Sequence, residues 1–224
     1  MINPEDFEPK VYEDCLLGNP NAKITLDNLI DGSMPFPAFG KSGIILFGPA
    51  GTGKTTLAKL IPDAMEMARC GCPSPLVDFY DCRHKANGAA HIAKIAQHLT
   101  LMSWNTSGLH YVILDEADNL TDAAQSQLKG VMNSKNGVFI LTTNYVDRID
   151  IAIQNRCHLI PMFAAQPHQW LPIVARVLTT CGLPVPPSNV LLPVIHSANG
   201  SGRDIMSAAV GIAITASRNQ SRPM

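Results

Sequence analysis

The feature that most constrains this chain is a glycine-rich segment that directly follows a short apolar run. The run at 44–47 has the pattern of a buried strand, and it leads into Gly48-Pro49-Ala50-Gly51-Thr52-Gly53-Lys54-Thr55, which has the spacing G-x-x-x-x-G-K-T. Glycines allow successive backbone N–H groups to turn towards a polyphosphate, and the N-terminus of a following helix favours negative charge. The segment therefore predicts a phosphate-binding loop.

The side chains of this loop have separate predicted roles, and together they predict ATP and Mg²⁺ as cofactors. Lys54 is expected to reach the β- and γ-phosphates, and the hydroxyl of Thr55 is expected to bind Mg²⁺. The other residues expected to contact the nucleotide in this loop are Gly48, Ala50, Gly51, Thr52, Gly53 and Thr56.

Length and charge limit what the chain can be. Its 224 residues suffice for one good core with a small satellite, but not for two full-sized nucleotide-binding domains. Lys plus Arg is 17 against 18 for Asp plus Glu, so no strong net field is available to hold nucleic acid or an anionic membrane unaided. The N-terminus has no secretory pattern, and the longest apolar stretch, at 206–216, is too short to span a bilayer. We therefore expect a cytoplasmic protein without membrane contact, whose six cysteines are reduced thiols.

Strand and helix patterns alternate through the first two thirds of the chain. Strands are predicted at 44–47, 76–80, 111–114 and 138–141, and helices at 54–68, 89–101 and 122–132, the last capped by Thr121. This alternation predicts the α/β fold of a P-loop NTPase, with a parallel sheet between helices and a ligand site at the carboxyl ends of the strands.

Strand signals stop after residue 162, and helical patterns follow at 168–180, 189–197 and 203–217. We therefore predict two domains. Residues 1–163 would form the nucleotide-binding α/β domain, with a largely irregular arm at 1–42, and residues 164–224 would form a small all-helical lid. ATP would bind between them.

Two acidic residues end the third predicted strand. Neighbouring strand residues point to opposite faces, so Asp115 and Glu116 can serve one site only if the strand stops there and the backbone turns. Asp115 would then bind Mg²⁺, mainly through its waters, and Glu116 would orient and deprotonate the attacking water. The alternative is a solvated acidic strand end.

The fourth predicted strand runs into a polar cluster, Thr142-Thr143-Asn144. In a parallel sheet this cluster would lie beside the two acids, so Asn144 is predicted to hold the attacking water or an oxygen of the γ-phosphate. The alternative is a turn at the strand end.

The order of these motifs resembles that of the AAA+ ATPases, and within them the clamp-loader small subunits of the replication factor C type. The similar segments are 8–14, 115–118, 120–125, 139–144, 155–157 and 202–204. The resemblance implies that residues 10–18, including Val11 and Tyr12, lie against adenine, and that Asn144 is the first sensor. The chain ends where a clamp loader would begin its collar domain, so the expected relative lacks that collar.

The resemblance also implies roles for two arginines. Arg156 matches the arginine finger supplied to a neighbouring subunit, although the usual triplet Ser-Arg-Cys is here Asn155-Arg156-Cys157, and Arg203 matches the second sensor on the lid. A cation in the first turn of a helix opposes the macrodipole, which favours an anionic partner for Arg203, and a guanidinium offered in trans can stabilise charge on a γ-phosphate. The alternatives are a surface residue balanced by Asp204 and a surface or interface salt bridge of Arg156.

Two competing interpretations have weaker support. Cys70, Cys72, Cys82 and His84 could form a zinc cluster, but their spacing departs from the usual C-x-x-C pairs, which favours buried or loop thiols. The run at 115–118 also has the letters of a DEAD-box helicase, a family that needs two tandem nucleotide-binding domains.

These features predict an oligomeric Mg-dependent ATPase, in a ring or spiral, that couples ATP hydrolysis to loading or remodelling of a DNA-replication or recombination assembly. The candidate DNA contacts are Lys129, Arg83, Lys85 and Lys94, for which a solvated face is the alternative. Two other functions stay open. One is an ATP-switched scaffold that binds DNA or protein, and the other is a hexameric replicative helicase of a virus or plasmid.

Overall fold

The computed structural model describes residues 7–74, 76–83 and 88–220, with side chains up to residue 215. These residues form two compact units. The first, here called the α/β unit, consists of Asn19–Gly48 and Lys54–Met162. The second, here called the helical unit, consists of residues 7–18, Pro49–Gly53 and the part of the chain from Phe163 onward.

The α/β unit contains a parallel sheet of five strands, in the order β2-β3-β4-β1-β5. The strands are β1 Gly43–Phe47, β2 Val77–Asp81, β3 His110–Asp115, β4 Gly137–Thr143 and β5 Cys157–Pro161. This arrangement confirms the predicted α/β fold. The prediction missed β5, because a short run that contains His158 and ends in Pro161 has little strand signal. Proline is nevertheless compatible with the end of an edge strand.

Three helices of the α/β unit, α2 Lys54–Cys70, α3 Gly88–His98 and α4 Asp122–Val131, lie close to their predicted positions. The unit also contains α1 Pro20–Ile30, within the predicted arm, and the short α5 Ile151–Asn155, where no helix was predicted. Capping side chains explain three of the starts: Asn19 accepts from the backbone of Asn21, Thr121 from that of Ala124, and Asp150 from that of Ala152.

Alternate residues of each central strand enter different layers of the core. Ile45, Val112, Leu114, Phe139 and Leu141 share one buried cluster, to which α3, α4 and α5 contribute Ile92, Ile95, Leu128 and Ile153. Their strand neighbours are also buried, and α2 contacts β1, β3 and β4. Burial on both faces explains why the central strands read as continuous apolar runs rather than alternating ones.

The helical unit contains the three helices predicted beyond residue 162, namely α6 Pro167–Thr180, α7 Ser188–Ser197 and α8 Gly202–Gln220. Phe7 is buried in the same apolar cluster as Val174, Val177 and Leu178 of α6. At Gly18, an added Cβ would lie 2.2 Å from the carbonyl oxygen of Ala164. The N-terminal segment therefore packs on the helices, whereas the sequence-based division placed it in the α/β domain.

Among the described residues, no helix is both long and apolar enough to cross a membrane.

Candidate nucleotide site

The glycines of the predicted phosphate-binding loop adopt backbone conformations that other residues reach only with strain. Gly48, Gly51 and Gly53 have φ values of 148°, 80° and 84°. An added Cβ at Gly48 would also lie 2.4 Å from the carbonyl oxygen of Met162. Side chains at these positions would therefore conflict with the loop.

Lys54 is the first residue of α2, and its side chain folds back over the start of the loop. Its Nζ donates to the carbonyl oxygen of Gly48 at 2.8 Å, and the residue is only 8% exposed. Burial lowers the pKa of Lys54, and the carboxylates of Asp115, Asp118 and Glu116 act in the opposite direction. The ammonium group of Lys54 is thus largely desolvated and is held at the start of the loop.

Asp115, the last residue of β3, accepts hydrogen bonds from two hydroxyl groups on one of its oxygens. Thr55 Oγ1 and Thr142 Oγ1 each donate to Asp115 Oδ1 at 2.7 Å. The register pairs Leu114 with Leu141, so the next residues of β3 and β4 meet at the carboxyl edge of the sheet. Sequence reasoning named Thr142 in its polar cluster but gave it no role of its own, and the parallel register is the signal that could have done so.

Glu116 turns the chain immediately after β3. It has φ 54° and ψ 48°, a left-handed conformation that is uncommon for residues other than glycine and carries strain of about 1–3 kcal/mol. Its backbone N–H donates to Thr142 Oγ1 at 2.9 Å, and Asn119 Nδ2 donates to its carbonyl oxygen at 3.2 Å. The structure therefore contains the turn that a shared role of Asp115 and Glu116 requires.

Asn144 follows β4 directly and is exposed. The side-chain contacts with the acidic turn come from the two threonines before it, since Thr143 Oγ1 donates to Asp118 Oδ1 at 2.7 Å. No hydrogen bond of the Asn144 side chain occurs within the described part of the chain. Its predicted contact with water or phosphate stays a prediction.

The two arginines lie in different units. Arg156 follows α5, and its guanidinium donates to Asn133 Oδ1 at 3.2 Å and to the carbonyl oxygen of Ala152 at 2.8 Å. Over the described ranges it forms no salt bridge. Arg203 is exposed in the first turn of α8, where the backbone N–H of Gly202 donates to the carbonyl oxygen of Gly51 at 2.9 Å. Arg203 therefore directly follows Gly202, which is hydrogen-bonded to the loop.

The segment expected to contact adenine forms a single 3₁₀ turn at Tyr12–Asp14. Tyr12 is buried and Val11 is exposed, and the carboxylate of Asp14 accepts from the backbone N–H groups of Lys10 and Val11. This local bonding fixes the shape of the turn. Contact with adenine stays a prediction.

The cations proposed as DNA contacts are partly engaged within the chain. Lys129 forms a salt bridge with Asp150 at 2.9 Å, and Arg83 forms one with Asp81. Lys94 is exposed, whereas Lys85 lies outside the described residues. Lys129, one of the candidate DNA contacts, is thus already paired with a carboxylate.

The cysteines of the alternative zinc interpretation are free thiols. Burial raises the pKa of Cys82 to about 12, which disfavours the thiolate that zinc needs. Within 7–74, 76–83 and 88–220 no group of three or more metal-ligating side chains occurs, and His84 lies outside these ranges.

A strand that ends in a glycine-rich loop, a lysine at the start of the next helix and an acidic neighbouring strand end define a P-loop nucleotide-binding protein. Residues 44–164 match the family described as ATPase family associated with various cellular activities (AAA). That match covers more than half of the chain, so the chain belongs to this family and contains its ATPase domain.

Solved structures of Thermotoga maritima RuvB share the fold. One, described as a Holliday junction branch migration motor, has a TM-score of 0.65 at 14% identity, and a RuvB variant has a TM-score of 0.68 at 16% identity. The matches cover 91% and 90% of this chain and 64% of each RuvB chain, so this chain spans less than two thirds of those proteins. A comparison with curated protein sequences produced no match. The predicted resemblance to the AAA+ ATPases is thereby confirmed.

Proposed function

We propose that this chain is a Mg-dependent ATPase subunit of a ring or open spiral, which couples ATP hydrolysis to loading or remodelling of a DNA-replication or recombination assembly. The observation that carries the proposal is the cluster of Thr55, Asp115 and Thr142 beside the turn at Glu116. This cluster places a hydroxyl, a carboxylate and a second acid at the carboxyl edge of the sheet.

The residues at this edge suit a triphosphate and a hard divalent cation. Thr55 and Asp115 present hydroxyl and carboxylate oxygens, the donors that Mg²⁺ prefers, and Lys54 supplies a desolvated cation for phosphate oxygens. Thr55 and Asp115 would hold the ion, which would supply positive charge to offset that of the phosphate oxygens. Thr142 Oγ1 donates to the same oxygen of Asp115 as Thr55 does, which helps to fix the orientation of the carboxylate.

Glu116 is the proposed general base. Glu116 is partly exposed, and its strained backbone directs the chain away from β3 at the position where Asp115 ends the strand. A carboxylate here can take a proton from the attacking water, which typically contributes about 10²–10⁴-fold to a rate. Asn144, exposed after the adjacent strand, is the proposed second group for that water.

The two arginines are proposed to act on different nucleotides. Arg203, in the same unit as Gly51, would respond to the nucleotide of its own chain. Arg156, partly exposed and without a carboxylate partner in the described residues, would be supplied to the nucleotide of a neighbouring subunit. A finger in trans makes hydrolysis depend on assembly, because a single subunit then has an incomplete site.

The partner class rests on resemblance and on fold. The motifs resemble clamp-loader small subunits, and the shared fold includes a protein described as a Holliday junction branch migration motor. Both suggest work on branched or primed DNA. The exposed Lys94 is the proposed phosphate contact that remains unpaired in the described structure.

The proposal is tested by steady-state ATP hydrolysis with and without primed DNA or a four-way junction, combined with mass photometry. We expect Mg-dependent turnover that rises with assembly and with one of the two DNA forms. Stable nucleotide-dependent assembly without turnover would instead favour the ATP-switched scaffold. Failure to bind nucleotide at all would reject the proposal.

The trans role of Arg156 has its own test. Arg156→Ala and Lys54→Ala should each be inactive alone, and a mixture should recover activity, because the intact pocket of one variant meets the intact finger of the other. Arg203→Ala should gain no activity when it is mixed with Lys54→Ala. Absence of recovery in variants that do co-assemble would return Arg156 to a structural role.

A further inference from the structure

The guanidinium of Arg156 is held by a residue that has no assigned part in the proposed function. Asn133 accepts from Arg156 Nε at 3.2 Å, while the carbonyl oxygen of Ala152 accepts from Nη1 at 2.8 Å. Asn133 follows α4 and its C-cap residue Met132, so the contact joins the end of α4 to the end of α5. Nη2 has no partner within the described structure and is left for another group.

The backbone around Arg156 is fixed independently of this contact. The carbonyl oxygen of Arg156 accepts from the backbone N–H groups of Ser42 and Gly43, both at 3.0 Å. Lys41 Nζ donates to the carbonyl oxygens of Asn155 at 3.2 Å and Cys157 at 2.6 Å. Only the long side chain of Arg156 therefore retains rotational freedom, and the direction of its guanidinium depends on the two acceptors.

An arginine finger contributes most when its side chain is already oriented, because fewer rotamers must be lost on reaching the transition state. The carbonyl of Ala152 belongs to the backbone and cannot be removed by substitution. Asn133 is exposed in a turn, and its side chain forms no other hydrogen bond in the described residues. Its replacement should alter the orientation of Arg156 without disturbing the core.

We propose that Asn133 is a positioning residue, which holds the guanidinium of Arg156 in the direction needed by the nucleotide of a neighbouring subunit. This inference rests on the proposed trans role of Arg156. It also implies that α4, which begins after the turn at Glu116, supports the residue that acts on the next subunit.

The first test compares three variants of the whole chain. Asn133→Ala is expected to lower kcat for ATP about tenfold with little change in KM, as for loss of one hydrogen bond to a charged group. Asn133→Asp keeps an acceptor oxygen and should retain at least about half of the wild-type kcat. Ser134→Ala is the matched control, because Ser134 is in the same turn but donates to Asn136 Oδ1 rather than contacting Arg156.

The second test asks whether Asn133 acts through Arg156. Asn133→Ala mixed with Lys54→Ala should recover activity, whereas Asn133→Ala mixed with Arg156→Ala should not, because both partners then have a defective finger. The double variant should be no slower than Arg156→Ala alone. A merely structural defect would not reproduce this pattern.

The outcomes separate the inference from the proposal beneath it. If Arg156→Ala is defective and is rescued by Lys54→Ala while Asn133→Ala is as active as wild type, the positioning role is wrong and the trans role stands. Equal defects in Asn133→Ala and Ser134→Ala would also overturn the positioning role. If Arg156→Ala itself is fully active, both ideas are wrong.

Discussion

The two ends of strand β3 carry similar chemistry in different settings. At the carboxyl end, Asp115 accepts hydrogen bonds from the hydroxyl groups of Thr55 and Thr142. Near the amino end, Tyr111 donates its hydroxyl at 2.7 Å to Glu66, a residue of α2. Glu66 also accepts from the backbone N–H of Ser107 at 3.1 Å and from the hydroxyl of the same residue.

The difference between the two ends lies in exposure and strain. Glu66 is fully buried, its two oxygens together accept three donors, and the left-handed residue of the turn it holds is a glycine, Gly108, which adopts this conformation without strain. Asp115 is followed by Glu116, which is partly exposed and left-handed, and Lys54 lies nearby. A satisfied buried carboxylate stabilises the fold, whereas a strained and accessible one is available for chemistry. We therefore propose that the amino end, around Glu66 and Tyr111, is structural and that the carboxyl end, around Asp115 and Glu116, is functional.

The largest effect is expected from a substitution at the functional end. Lys54→Ala removes the desolvated cation, so nucleotide should bind at least ~100-fold more weakly, in line with the loss of more than one charge-assisted hydrogen bond. Titration with a fluorescent ATP analogue measures this. Lys59→Ala is the matched control, since Lys59 is on the same helix but lies over the ring of Phe79. Equal affinities of Lys54→Ala and wild type would contradict the assignment of the functional end.

The sequence indicated candidate residues at the functional end but none at the structural end. The spacing from Gly48 to Thr55 and the acids after β3 are local patterns, so a linear chain displays them. Glu66 and Tyr111 are separated by 45 positions, and only the packing of α2 on β3 brings them together. The helical spacing of Ala58, Pro62 and Glu66 places residue 66 on the buried face of α2, but it does not identify the partners of Glu66.

The same reasoning explains the other differences between sequence and structure. β5 was missed because its strand pattern is short, and residues 7–18 were assigned to the α/β domain because Phe7 alone does not show which core it enters. Thr142 acquires its role from the register between β3 and β4. A weak local pattern therefore accounts for the missed β5, and long-range packing accounts for the other differences.

The next largest effect is expected at the structural end. Glu66→Ala leaves the hydroxyl of Tyr111 and the N–H of Ser107 without their acceptor, so the free energy of unfolding should fall by about 3 kcal/mol. Urea unfolding monitored by circular dichroism measures this. Glu66→Gln, the more conservative substitution, should lower the free energy of unfolding less. Hydrolysis per folded molecule should equal that of wild type. A loss of kcat at full stability would mean that the two ends are not separate in function.

A smaller effect is expected from Tyr111→Phe, about 1 kcal/mol for one buried hydrogen bond at neutral pH. Burial and the bond to Glu66 raise the pKa of Tyr111 above its unfolded value of about 10. The neutral phenol is favoured in the folded state, so its contribution is complete below about pH 10 and is lost as the pH rises through the folded pKa. Urea unfolding from pH 8 to 11 should show a steeper loss for wild type than for Tyr111→Phe. Parallel curves would contradict this account of the structural end.

The smallest effect is expected at a surface pair away from both ends. The hydrogen bond from Lys129 lowers the pKa of Asp150 in the folded state. A carboxylate whose pKa is lowered on folding contributes to stability above its unfolded pKa, and this contribution is lost as the pH falls through the folded pKa. Lys129→Gln should lower the urea midpoint at pH 7 only slightly, because the contribution is present at that pH but is small for an ion pair at the surface. A fall as large as that of Glu66→Ala would show that ion pairing at the surface, rather than burial, decides stability here.

The most direct measurement of the functional end is ATP turnover by Glu116→Gln, with nucleotide affinity and urea stability determined on the same preparation. Glutamine keeps the shape of the side chain but cannot accept the proton of the attacking water. The account predicts unchanged affinity, unchanged or slightly higher stability, and a turnover number at least ~100-fold below that of wild type. Turnover equal to wild type at saturating ATP and Mg²⁺ would contradict it.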